Sequence, residues 1–135
     1  VSETRAYAAT LEAAAEAETW ALAQAGQLGL SSDEAFSLML CVEELFVNVV
    51  SHGGARNVRL AIARDSLEFR DDGDAFDPTE APPRREDEPD ADFEIGGFGL
   101  KLLQRFADRI AWRREDDWNV VTLAFGGAAA QPARD

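Results

Sequence analysis

The stretch 31–54, SSDEAFSLMLCVEELFVNVVSHGG, decides how the rest of the chain is read. Ser31-Ser32-Asp33-Glu34 supplies N-cap oxygens and an acidic first turn, and Gly53-Gly54 supplies a stop, so the spacing predicts a helix over 34–52. Phe36, Leu38, Met39, Val42, Leu45, Phe46, Val49 and Val50 cover well over half of its circumference. A helix apolar on so many sides is largely buried. Against that background Glu44, Asn48 and His52 fall at i, i+4 and i+8 on one narrow stripe, with Ser37 and Ser51 beside it. Burying a carboxylate is costly unless something compensates it. The stripe is therefore expected to line a cleft; the plainer alternative is a solvated helix face with an ordinary Glu–Asn pair.

Working outward, 135 residues with 46% hydrophobic and 29% charged side chains suit one globular domain. Residues 1–127 are expected to form it, with 128–135 a frayed tail. The formal charge of −13 disfavours nucleic acid and anionic lipid, which are bound by clustered cations. A polyanionic ligand would need backbone dipoles and a metal ion. Cys41 is the only cysteine, which rules out an internal disulfide and fits a reducing cytosol. No apolar run approaches the roughly 20 residues of a bilayer span, and Val1–Arg5 has no basic region leading into an apolar one. A cytoplasmic protein without a membrane partner is the expectation.

Residues 4–25, rich in Ala and Glu, read as a first helix broken by Gly26 and Gly29. Val58, Leu60 and Ile62 alternate with polar or small residues, as do Leu67 and Phe69, and Arg64-Asp65-Ser66 turns between them: a hairpin. From 73 to 96 Asp, Glu, Pro and Arg dominate, and Pro78, Pro82, Pro83 and Pro89 exclude a continuous helix. Phe98–Ala107 reads as a third helix, followed by strands near 109–114 and 118–125 around Glu115-Asp116-Asp117. The order predicts an α+β two-layer sandwich.

Three segments carry chemistry. Glu44 has the character of a general base, and Asn48 one turn on offers Mg²⁺ a neutral hard oxygen. Asp71 leaves a strand end beside Gly73, where backbone can approach a flat ligand and a carboxylate can accept from an exocyclic amine. Gly96-Gly97-Phe98-Gly99-Leu100 opens the third helix, so its N–H groups can point at phosphate oxygens, with Lys101 and Arg105 on the same helix. The acidic turn lacks the EF-hand ligand order, and neither Cys41 nor His52 has a zinc partner at ligand spacing. His52 is expected to complement the helix dipole at the C-terminus, the alternative being a cleft contact.

Glu44-x-x-x-Asn48, Asp71-x-Gly73-x-x-Phe76-Asp77-Pro78 and Gly97-x-Gly99-Leu100, in this order, resemble the N, G1 and G2 boxes of the GHKL ATPases. The stretch from about 31 to 125 is most similar to the anti-sigma-factor serine kinase branch, the RsbW-like proteins. The resemblance implies a Bergerat (histidine kinase-like ATPase) fold that binds ATP and Mg²⁺. Asp71 would bind adenine, Asn48 would hold Mg²⁺, Glu44 would be the catalytic base, and Gly73, Gly97, Gly99 and Leu100 would line the nucleotide. Residues 74–97 would form a lid with Phe76 packed beneath it, and Thr122 would contact adenine together with Asp71. The implied function is a protein serine kinase that phosphorylates an anti-sigma-factor antagonist and sequesters a sigma factor, with homodimerisation common in the branch. Two features depart from the pattern: no strand is predicted in Val1–Tyr7, and residues 6–30 contain no arginine. The second feature keeps open a regulatory binding module, ATP-dependent or not, without kinase activity.

Overall fold

A computed structural model describes residues 3–52, 54–80 and 99–125. Glu3–Ala8 forms strand β1, Leu11–Gln27 helix α1 and Ser32–His52 helix α2. Asn57–Ala63 (β2) and Ser66–Asp71 (β3) make the first hairpin, Pro78–Glu80 is a short 3₁₀ turn, and Gly99–Phe106 is helix α3. Arg109–Glu115 (β4) and Trp118–Ala124 (β5) close the chain. The strands form an antiparallel sheet in the order β1-β2-β3-β5-β4, with the helices packed on one face. This is the expected two-layer α+β sandwich. The tail 128–135 and most of the expected lid lie outside the described residues.

The pleat explains where the core sits. Val58, Leu60 and Ile62 on β2, Leu67 and Phe69 on β3, and Val121 and Leu123 on β5 stand on one face, and all are buried. Against them α2 sets Leu38, Val42, Leu45 and Phe46, and the Phe46 ring meets Phe69 edge-on at 5.4 Å. Several buried positions of α1 are alanines, among them Ala13, Ala14, Ala17 and Ala21, which lets it lie close against α2. By length and composition α2 is apolar enough to cross a membrane. Here it is the core helix of the sandwich, bearing Glu43 and Glu44 at mid-length.

The N-terminus departs from expectation. The predicted helix over 4–25 is a strand over Glu3–Ala8 and then a helix from Leu11, with Thr10 as N-cap accepting from the Ala13 N–H at 3.0 Å. Alanine's helix propensity hid the strand, but Arg5 and Tyr7 pair with Leu60 and Val58 across the ladder. Tyr7 also packs on Trp20 and Phe46, with ring centroids at 6.5 and 6.3 Å. Pairing and burial outweigh local propensity. The opening strand thought to be missing is present.

Candidate functional site

The inward row on β3 does not stop at Phe69. Two residues on, still on the core face, it delivers Asp71, and the matching row on β5 delivers Asn119, its partner across the ladder. Both are buried. Asn48 and His52, from the last two turns of α2, face this end of the sheet. With Leu45, Val49, Phe76 and Pro78 they line a narrow cleft of about 30 Å³, room for roughly one water molecule. A larger cavity, about 200 Å³, lies elsewhere, between Leu30, Ser37, Phe106 and Phe125. It contains none of the expected site residues, so chemistry rather than size singles out the smaller one.

Asp71 is held by design of the turn. Its Oδ1 accepts from the Gly73 N–H at 3.0 Å and from Asn119 Nδ2 at 3.0 Å. Burial pushes its carboxyl above the ordinary aspartate range, against the lowering pull of the Asn119 amide and the Gly73 N–H; neighbouring Asp72 adds to the rise and Arg114 opposes it. Arg114 also donates to the Gly73 carbonyl at 2.8 Å. Asp72 behaves oppositely. Burial acts to raise its carboxyl, but donors from Asn57 and Arg56, at 2.7 to 2.9 Å, outweigh it and hold the group low. That carboxylate latches the start of β2 to the end of β3.

Gly73 is pressed into the same corner. A Cβ there would stand 3.1 Å from the Ala55 nitrogen, 3.1 Å from Asp71 Oδ1 and 3.2 Å from the Ala55 Cβ. Gly73→Ala must therefore push the carboxylate or the backbone aside. On the nucleotide site implied by the resemblance, we expect it to weaken binding about tenfold, about 1.4 kcal/mol, within the usual range for overpacking. Parallel calorimetric titration and thermal melting would check this; unchanged affinity would mean the carboxylate is not held as described.

On α2, Asn48 Oδ1 is buried and has no hydrogen-bond donor among the described residues. An orphaned acceptor of this kind is unusual in a native interior and calls for a partner. Glu44, one turn earlier, is half-buried and outside the narrow cleft lining. Burial, then the charge of Glu43, raises its carboxyl above the ordinary glutamate range. His52 lies in the last turn, where a dipole-complementing role was expected, but its ring stacks on Phe76 at 3.9 Å and walls the cleft. Phe76 was expected beneath the lid, most of which lies outside the described residues; it lines the cleft itself.

Of the predicted site residues, Asn48, Asp71 and Gly73 come together, with Glu44 one turn away on the same helix. Gly99 opens α3 and Leu100 follows, as anticipated, whereas Gly97 lies outside the described residues. Thr122 is not brought to Asp71. Its ladder partner is Glu68, on the opposite face of the sheet, because successive side chains alternate across the pleat. Asn119, three residues earlier, occupies the place expected for it. Reading the chain missed Asn119, Trp112 and Arg114, all on the terminal hairpin. The available signal was parity: Asn119 precedes Val121 and Leu123 by two and four, so it shares their buried face.

The sequence model of the histidine kinase-like ATPase domain matches residues 7–125. The serine/threonine-protein kinase BtrW of Bordetella bronchiseptica is 37% identical over 98 residues, covering 65% of this chain and 68% of its own. The match spans almost the whole sandwich, including the polar stripe of α2, the β3 carboxylate and α3. The chain belongs to the histidine kinase-like ATPase domain family.

Proposed function

We propose that the cleft between α2 and the β3–β5 end binds ATP with Mg²⁺, and that the chain is a protein serine/threonine kinase. The observation that carries the reading is the buried Asn48 Oδ1, without a donor among the described residues, in the same cleft as the buried Asp71 carboxylate. A hydrophobic slot with one acceptor for a base amine and one for a cation suits a nucleotide rather than a neutral metabolite. The cleft is smaller than typical ligand pockets of about 300–1,000 Å³, so its lining side chains must open to admit a nucleotide.

Asn48 fits Mg²⁺, which takes few protein ligands, prefers hard oxygens and keeps several waters. The described residues hold no group of three His, Cys, Asp or Glu of the kind an all-protein cage would use. When bound, the ion would neutralise phosphate charge that a chain of net charge −13 otherwise repels. Asp71 reads adenine, Gly99 and the start of α3 face phosphate, and Glu44 takes the proton of an attacking serine hydroxyl. Burial, then the charge of Glu43, raises its carboxyl above the ordinary glutamate range, which makes it a stronger base than a free glutamate.

For partners we infer an anti-sigma-factor antagonist carrying the serine, and a sigma factor sequestered in the alternate state. The layer formed by α1 and α2 is suited to docking protein. From Ala6 to Ser51 the chain has no Lys or Arg, and Leu11, Leu22 and Phe36 are exposed. An apolar, acidic helix layer favours a basic amphipathic partner over nucleic acid. The buried Cys41, its thiol pushed up to about 12 by burial and then by Glu44, is unreactive and compatible with the cytosol.

Calorimetric titration with Mg-ATP, Mg-GTP and ATP in excess chelator tests the reading. We expect saturable ATP binding, strong preference over GTP, and a metal-dependent gain lost in Asn48→Ala. If ATP binds equally with and without Mg²⁺ in both proteins, Asn48 does not hold the ion. If Mg-ATP binds but incubation with a cognate antagonist yields no phosphoserine, the chain is a nucleotide-dependent binding module.

A further inference from the structure

Asn119 is almost fully enclosed, with 2% of its surface exposed, and every hydrogen-bonding position of its amide is filled. Nδ2 donates to Asp71 Oδ1 at 3.0 Å and to the Asp74 carbonyl at 2.8 Å. Oδ1 accepts from the Phe76 N–H at 3.0 Å and from Trp112 Nε1 at 3.1 Å. An asparagine amide offers two donors and two lone pairs, so no capacity remains. The orientation is also forced. Rotating the amide by half a turn would set its NH₂ against two N–H donors and its oxygen against a carboxylate and a carbonyl, losing all four bonds.

Three things follow from this arrangement. Asp71 Oδ1 is committed to Asn119 and Gly73, which leaves Oδ2 as the oxygen turned to a ligand donor. The carboxylate plane is set before ligand arrives, so little ordering is needed on binding. The segment from Asp74 to Phe76, which forms part of the cleft wall, is tied to the same side chain, and through Trp112 to the edge strand β4.

Resting on the adenine reading of the cleft, we propose that Asn119 is a positioning residue that sets the preference for a base carrying an exocyclic amine, with Trp112 as its anchor. Asn119 touches no ligand itself. It acts by presenting one oxygen of Asp71 at a fixed angle. Without it the carboxylate rotates about its last bond, and the distinction between a base with the amine and one without it blurs. A purely structural asparagine would instead support both ligands alike.

The test is a pair of calorimetric titrations, with Mg-ATP and with the Mg²⁺ complex of purine riboside triphosphate, which lacks only the amine. Wild type, Asn119→Ala and Trp112→Phe are compared. We expect wild type to favour ATP about 100-fold, as a site built to pair a polar group does. Asn119→Ala is expected to lose most of that ratio, through weaker ATP binding with the amine-free ligand held nearly as before; Trp112→Phe should lose about fivefold of it. Equal weakening of both ligands, or an unchanged ratio, in the folded Asn119→Ala protein overturns the proposal. Should that variant fail to fold, a wild-type ratio in Trp112→Phe overturns it. Wild type that binds neither ligand removes the nucleotide reading itself, whereas wild type that binds ATP with no preference keeps the nucleotide site but removes both the amine reading by Asp71 and the role of Asn119.

Discussion

Asp71→Asn is expected to weaken ATP binding about 100-fold, about 3 kcal/mol, while making the protein more stable at neutral pH. The exchange conserves shape. The substituted side chain keeps an oxygen for the Gly73 N–H and the Asn119 amide, but offers NH₂ where the charged oxygen met a base amine. Donor then faces donor in a poorly solvated cleft. The stability gain has a definite pH dependence. Burial raises the Asp71 carboxyl above 3.8 in the folded state, so the folded protein holds that proton more tightly than the unfolded chain. The associated stability is fully present below the unfolded value and is lost as pH rises through the folded one. The asparagine variant lacks that loss. Its melting temperature should match wild type near about pH 3 and exceed it by an amount that grows with pH and then levels off. Melts at a series of pH values, beside calorimetry, provide the check. A variant that binds ATP normally would remove Asp71 from the base site.

Glu44→Gln is expected to lower phosphoryl transfer to a serine substrate by about 10²–10⁴-fold, the usual contribution of a positioned base, with ATP affinity within about threefold of wild type. The split distinguishes catalysis from binding: Glu44 stands a turn from Asn48 and outside the narrow cleft, so its loss leaves the base-reading contacts in place. Burial and Glu43 raise its carboxyl above 4.5. The base form therefore appears at higher pH than for a free glutamate, and the acid limb of the wild-type rate should be displaced upward accordingly. The glutamine variant should show no such limb. Single-turnover transfer at several pH values measures both, and equal rates for the two proteins would leave the base unassigned.

Much of this site was legible before any tertiary contact was considered. The apolar circumference of 34–52, interrupted by one stripe, predicted a buried helix lining a cleft, and α2 is that helix with Asn48 in the cleft. Alternation at 58–62 and 67–69 gave both strands of the first hairpin, and Asp71 lies at its end beside Gly73, where an added Cβ would crowd Ala55 and the carboxylate. Such features are encoded within single elements, by periods of about 3.6 and 2.0 residues. The opening strand was not legible. Its alanines favour helix, and only pairing with β2 and the packing of Tyr7 on Trp20 and Phe46 make it extended.

The terminal hairpin marks the boundary most sharply. A strand over 118–125 was evident, and Thr122 was matched to the base site by resemblance alone. The structure sets Asp71 opposite Asn119, 48 residues away along the chain, and turns Thr122 to the other face. The sequence by itself determined which elements form, which face of each is apolar, and that a carboxylate, an amide and a glycine corner exist. Which side chain meets that carboxylate was decided only by tertiary structure. Strand register is a long-range choice, and a shift of one residue exchanges every inward side chain for an outward one.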